Sequence, residues 1–292
     1  MIASSKKGQW FELIAPMEWQ GITSEQLFSK VWQAPKKLTH LLKMNKEVMI
    51  NGKPAVWTNP LKMGDRLQIK LFSDVDFGLI PQYMNVNIVY EDEHLLIAEK
   101  PPGINTHPNE PGQTNTLANG IAYHLQAKGE FRQVKHIHRL DRDTSGVILF
   151  AKHAFIGALL DKMLEERQIK RSYSALVCGK ILNKKGTIDA PIGRDRHHPT
   201  KRRVSPKGQR AVTHYEVVNV KKNATLIRCS LDTGRTHQIR VHLSHIGHPI
   251  VGDKLYGNSP KETRLHLHAV ELKFVHPLTF EQIQVTSPID WD

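Results

Sequence analysis

The chain has 292 residues, 41 Lys and Arg against 28 Asp and Glu, a net charge of +13 and a sequence pI near 9.7. That length suits one large domain, or one large and one small, and the charge calls for a polyanionic partner, nucleic acid ahead of an anionic membrane surface. No apolar run nears the eighteen or so residues of a membrane helix and "MIASSKKGQWFELIAP" lacks the apolar centre of a signal peptide, so no membrane contact and a cytoplasmic location are expected. Two cysteines, Cys178 and Cys229, are too few for a disulfide framework or a cysteine zinc site and read as reduced and structural.

In chain order, "WFELIAP" predicts a strand, and "TSEQLFSKVWQ" and "KKLTHLLKMN" carry apolar residues at helical spacing, with Thr23 as an N-cap. "EVMINGKPA", turning at Asn51-Gly52, and "LKMGDRLQIKLF", after Gly64-Asp65, add a hairpin and a short strand. Two small helices before a basic hairpin resemble the compact RNA-binding domain shared by a small-subunit ribosomal protein and tyrosyl-tRNA synthetase. The helical half departs from that pattern in lacking its central Ser-Arg pair. Residues 1–78 are therefore expected as a small α+β accessory domain. The aperiodic "SDVDFGLIPQYMN" leads into a linker at 79–88, and residues 89–292 form the main domain.

"VNIVYEDEHLLIAEKP" predicts two short strands around an acidic turn, and "GVILFAK" an apolar strand. "HAFIGALLDKMLEERQ" predicts an amphipathic helix with Phe155, Ile156, Leu159, Leu160, Met163 and Leu164 on one face. "RSYSALVCG", "AVTHYEVV" and "ATLIRCSL" are further strands, "RTHQIRVHLSHIG" is a helix ending at Gly247, and "VELKFVHPLTFEQIQV" is a hairpin turning at His276-Pro277. Strands dominate without a regular strand–helix alternation, so the expected fold class is α+β around a mixed, mostly antiparallel sheet flanked by helices and loops.

The charge is concentrated: between Lys170 and Arg210 there are twelve Lys or Arg and two acids, Asp189 and Asp195. "GRDRHHPTKRRVSPKGQR", rich in Gly and Pro, predicts a long basic loop carrying Arg202 and Arg203 and suited to phosphate backbones.

"HRLDRDTSG", His138 to Gly146, sets Asp141 between Arg139 and Arg142. Guanidinium neighbours favour an ionised aspartate, which can act as a nucleophile or a general base. An extended backbone through "HRLD" puts Arg139 and Asp141 on one side and Leu140 on the other, anchored, before "DTSG" turns the chain into the next strand. A phosphatase loop of the Asp-x-Asp-x-Thr kind is a weaker reading, since "KHIHRL" is no buried parallel strand and Ser145 stands in the fifth position. Seventeen histidines, among them "HIH", "HH" and "HLH", present no third ligand at recognisable spacing, so no metal is expected.

"HRLDRDTSGVILFAK" resembles the signature of the RluA-type pseudouridine synthases, RNA uridine isomerases. "EKPPGINTHP", "RSYSALVCG" and "TGRTHQIRVHLSHIGHPIVGDKLYG" agree in the family's order over about the last two hundred residues. The resemblance implies the pseudouridine synthase fold and conversion of uridine to its C-glycoside isomer, with no cofactor. It implies Asp141 as the catalytic carboxylate, Tyr173 as the tyrosine that stacks on everted uracil, and Arg235 as the arginine paired with the aspartate. Arg139 would enter the RNA stack in place of the displaced nucleotide, and Lys100 matches a family lysine on the RNA side. "HLHAVELKFVHP" is expected to pack the core and line the uracil pocket. The partner expected is structured RNA, large-subunit ribosomal RNA ahead of tRNA, bound by a monomer.

Overall fold

Strands whose side chains alternate between buried and solvated build the first layer, as in β5, where Leu67 and Ile69 are buried between polar neighbours. The computed structural model describes residues 2–257, 264–289 and 291. β1 (Ser4–Lys7), β2 (Trp10–Ile14), β3 (Val48–Ile50), β4 (Lys53–Pro54) and β5 (Arg66–Lys70) form an antiparallel sheet in the order β1-β2-β5-β3-β4. Asn51 and Gly52 both take positive φ, 51° and 78°, in the turn joining β3 to β4. α1 (Ser24–Gln26) starts at the expected Thr23, whose hydroxyl and the Gln26 side chain cap each other's backbone, and continues as a wider π turn over Leu27–Val31. α2 (Lys36–Met44) follows.

The larger sheet contains β6 (Asn87–Glu91), β7 (Leu95–Lys100), β8 (Lys135–His136), β9 (Ser145–Ala151), β10 (Lys170–Cys178) and β11 (Lys185–Asp189). β12 (Ile192–Arg194) and β13 (Arg202–Val204) stand apart as a two-stranded hairpin; β14 (Val212–Val220), β15 (Ala224–Leu231), β16 (Leu267–Val275) and β17 (Gln282–Thr286) complete the sheet. Its order is β11-β14-β15-β10-β16-β9-β7-β6, with β17 on β16 and β8 on β9. All of its pairings are antiparallel except β16 with β9, so the expected mixed, mostly antiparallel α+β architecture is the one found.

Every residue of β9 is buried, which accounts for its unbroken apolar run. α3 (Leu117–Ala127), α4 (Ala154–Glu165) and α5 (Gln238–His245) flank the sheet, with α4 against β9. Phe155 of α4 also meets Phe28 and Trp32, ring centroids 5.7 and 5.8 Å apart, so one hydrophobic core runs from the N-terminal sheet into the larger one. Just before the segment expected as a linker the Val75 amide donates to the Phe131 carbonyl and Phe77 is buried, and within it the Gln82 amide donates to the Asn119 carbonyl. Cys178 and Cys229 are free, and burial pushes the Cys229 thiol up to about 12.

The parallel seam between β9 and β16 is short, pairing Ser145 with His268 and Gly146 with Ala269. Gly146 has φ 112°, and a Cβ there would lie 2.3 Å from the Ala269 carbonyl oxygen. Only glycine lets the two strands approach, one turn beyond Asp141. Gly146→Ala is expected to destabilise the protein by about 3 kcal/mol through backbone strain and overpacking, read as a lower urea midpoint with little change in slope.

Candidate active site

The loop that carries Asp141 is held from beneath by a segment forty residues earlier in the chain. The Thr106 hydroxyl donates to the Leu140 carbonyl and accepts from the Leu140 amide; the Gly103 amide donates to the Arg142 carbonyl, and Arg142 Nε returns a bond to the Gly103 carbonyl. The Thr144 amide closes the turn on the Asp141 carbonyl. Leu140 is buried and Arg139 exposed, as extended backbone through "HRLD" requires.

Asp141 lies in the wall of a cavity of about 650 Å³ with Arg139, Tyr173, Arg235, His237 and Arg240. Its Oδ2 accepts a hydrogen bond from Arg240 Nη1 at 3.3 Å, and His237 Nε2 stands 3.9 Å from the same oxygen. Oδ1 accepts no hydrogen bond among the described residues. Arg240 is itself gripped by Asp253, Nε to Oδ2 and Nη2 to Oδ1, both 2.8 Å. The Asp253 side chain is fully buried and accepts amides from Leu255 and Tyr256. Burial opposes charge on both partners, but each favours the other's ionised form more strongly: the guanidinium is pushed up and the Asp253 carboxyl held below the usual range.

The arginine paired with Asp141 is therefore Arg240, not Arg235. Arg235 precedes α5, is exposed at the cavity rim and donates through Nε to the Arg210 carbonyl at 3.1 Å. Its loop carries it away from the carboxylate, whereas Arg240 lies in the first turn of the helix and points inward. Tyr173, on β10, is 4% exposed, and burial ahead of the charge of Asp141 pushes its phenol up. Leu267, from the segment expected to line the pocket, forms part of the wall.

The RNA pseudouridylate synthase family matches residues 94–245, and the RluD ribosomal pseudouridine synthase N-terminal domain matches residues 11–67. The chain belongs to the RNA pseudouridine synthase family. It is 46% identical over 291 residues to the uncharacterized RNA pseudouridine synthase YhcT of Bacillus subtilis, covering 99% of this chain and 96% of that one. It is 38% identical over 247 residues, 78% of this chain and 75% of the relative, to ribosomal large subunit pseudouridine synthase D of Pasteurella multocida. Among solved structures, human RNA pseudouridylate synthase domain containing 1 superimposes with a TM-score of 0.57 at 26% identity, over 70% of this chain and 84% of that one.

In this pseudouridine synthase Arg202 and Arg203 do not sit on a formless loop. They belong to β13, paired with Arg194 and Gly193 of β12, and the Arg202 amide donates to the Tyr256 hydroxyl at 2.8 Å. The histidine pairs are engaged elsewhere. His136 stacks on His107, His138 accepts the Leu149 amide, His198 accepts the Lys201 amide, and His268 bridges Ser145 and Ser287. Among the described residues no three His, Cys, Asp or Glu gather where a metal could sit. Arg240, His237, Asp253 and Tyr256 escaped the sequence reading; the available signal was an arginine inside the otherwise inward-facing "QIRVHL" of α5, where every residue from Gln238 to Leu243 is buried.

Lys100 also departs from its expected place on the RNA side. It is 0% exposed, and its ammonium donates to the Pro101, Ile104 and Arg142 carbonyls at 2.8 to 2.9 Å. Burial pulls the group down to about 7 against Asp143 and Asp141, while three acceptors match the three N–H groups of the charged form. It ties the "EKPPG" turn to the loop that carries Asp141. Lys100→Met keeps the volume but removes the donor from three carbonyls, so a loss of about 1–3 kcal/mol in urea unfolding is expected, with activity falling as the loop loosens.

Proposed function

We propose that this enzyme isomerises uridines in structured RNA, large-subunit ribosomal RNA before tRNA, with Asp141 as the catalytic carboxylate. The observation that carries this reading is the position of Asp141: one oxygen is held by Arg240, and the side chain lines a cavity whose wall includes a buried tyrosine. The relatives named as large-subunit synthases and the match of residues 11–67 to the RluD N-terminal domain support the ribosomal target.

The reaction breaks N1–C1′ and forms C5–C1′, and the C5 proton is exchanged for one on N1, so no redox equivalent or group donor is consumed. Loss of uracil leaves the sugar electron-deficient at C1′. A carboxylate there either bonds C1′ or takes the 2′ proton to give a glycal, and in both cases the freed uracil must stay in place while it turns. Tyr173 would stack on it. A base within a helix has to be everted at a cost of a few kcal/mol, and stacking on an aromatic ring returns about 1–3 kcal/mol. Arg139, exposed and lining the cavity, would enter the space the base leaves in the RNA stack.

Phosphate contacts would come from the hairpin, through Arg202 and Arg203, and from Arg235 at the rim. Residues 1–78, joined through 79–88, act as an accessory RNA-contacting module; Lys36, Lys37, Lys43, Lys46, Lys53 and Lys62 are all exposed there. Affinity for RNA is then expected to fall by about 0.7–0.9 log units per neutralised phosphate for each tenfold rise in salt, and a flat dependence in a filter-binding titration would remove the basic surfaces from binding.

Asp141→Asn tests the chemistry. The variant is expected to fold and bind RNA at wild-type affinity while forming no pseudouridine above a 10³-fold loss in rate, on the order of one essential catalytic group. Product at wild-type levels would take Asp141 out of the mechanism. Wild-type protein that binds RNA but yields no pseudouridine when total RNA is mapped with and without the gene would favour an RNA-holding role instead.

A further inference from the structure

We propose that Tyr256 and His237 form a hydrogen-bonded relay between the basic hairpin and Asp141, so that RNA contact at β12–β13 sets the position of the reacting carboxylate. Both act as positioning residues, and the proposal rests on Asp141 being catalytic.

The Tyr256 hydroxyl oxygen accepts the Arg202 amide at 2.8 Å and lies 2.9 Å from His237 Nδ1. Among the described residues its own hydrogen has no acceptor except Nδ1. That bond puts the imidazole proton on Nε2, the nitrogen that faces Asp141 Oδ2 at 3.9 Å. Burial holds His237 below its ordinary value against the pull of Asp141, with Arg240, Arg202 and Asp253 as the other charges around it. The neutral ring thus presents an N–H to the carboxylate, and a movement of about 1 Å would close the gap to a hydrogen bond.

The Tyr256 ring meets a second arm of the same site. Arg240 lies over it at 5.2 Å from the centroid and Lys201 of the hairpin at 5.4 Å, while the Tyr256 amide donates to Asp253 Oδ1. One tyrosine therefore touches the hairpin through Arg202 and Lys201, and touches both groups that approach Oδ2, Arg240 and His237. His237 stands in a left-handed conformation, φ 60° and ψ 18°, which a residue other than glycine keeps only where its surroundings fix it. Phosphates drawn to Lys201, Arg202 and Arg203 would press on the Arg202 backbone, and the shift passes through Oη to the imidazole.

His237→Asn keeps a residue that tolerates the left-handed backbone and leaves an oxygen to accept the Tyr256 hydroxyl, but nothing reaches Asp141. At saturating RNA its single-turnover rate is expected to fall about tenfold, the equivalent of one hydrogen bond to the reacting group, with KM and melting temperature unchanged. Tyr256→Phe is expected to lose rate by the same factor and also to raise KM, because the hairpin loses its anchor. The double variant should be no slower than Tyr256→Phe, since both changes break one chain. His237→Asn at the wild-type rate, losses that multiply in the double variant, or Tyr256→Phe with wild-type KM would each overturn the relay. Asp141→Asn run alongside separates the two claims: if it is inactive while His237→Asn is fully active, only the relay fails, whereas an active Asp141→Asn removes the catalytic assignment itself.

Discussion

The arrangement of this site depends on one buried guanidinium. Arg240 gives Nε and Nη2 to Asp253 and has Nη1 left for Asp141, so a single planar group fixes the distance between the buried Asp253 carboxylate and that of Asp141. Taking both charges out of water costs several kcal/mol per ion, recovered only where geometry is close to ideal and the remaining lone pairs are satisfied. Asp253 meets that condition with two bonds from Arg240 and two from backbone amides. Asp141 does not; it is only partly buried and shares Arg240 through one longer bond. The saturated Asp253 carboxylate anchors the arginine, and Asp141 keeps one oxygen to which no described residue donates.

The backbone around Asp141 is fixed with comparable economy. Three segments far apart in sequence meet at its loop: the turn after β7, the loop itself, and the start of β16. Lys100 and Thr106 hold the loop from one side by bonds to its carbonyls and amide, and Gly146 lets β16 close on the other. The Leu140 amide and the Leu140, Asp141 and Arg142 carbonyls are thereby satisfied within the protein, which restrains the loop.

How much of this could be read in the sequence follows from the range of the interactions. Local signals carried: Thr23 as a cap, the positive-φ turn at Asn51-Gly52, the apolar face of α4 and the alternation through Arg139, Leu140 and Asp141 all depend on neighbours a few residues away. α3 has no counterpart among the expected elements, and Asn119-Gly120 within it is a turn-type pair. In the fold Asn119 completes a capping box with Thr116, and a Cβ at Gly120 would meet Val86 Cγ2 at 2.6 Å, so both residues serve the helix. Lys100 was expected on the RNA side; burying an ammonium is costly, and its third acceptor, the Arg142 carbonyl, is 42 residues away. The choice between Arg235 and Arg240 turned on where α5 begins and on the place of Asp253, neither of which the motif specifies.

The distribution of arginines then divides the work of the site by burial. Arg240 is 8% exposed in its side chain and shares its charge with two carboxylates, so substrate cannot recruit it without stranding Asp253. Arg139 and Arg235 face the cavity from exposed positions, where a guanidinium loses little by exchanging water for phosphate or a base. The arginine that holds geometry is sunk and saturated, and the two at the cavity rim stay hydrated. On this basis the +13 net charge speaks to the outer set, while Asp141 is held in place by the inner pair of Arg240 and Asp253, whose charges cancel.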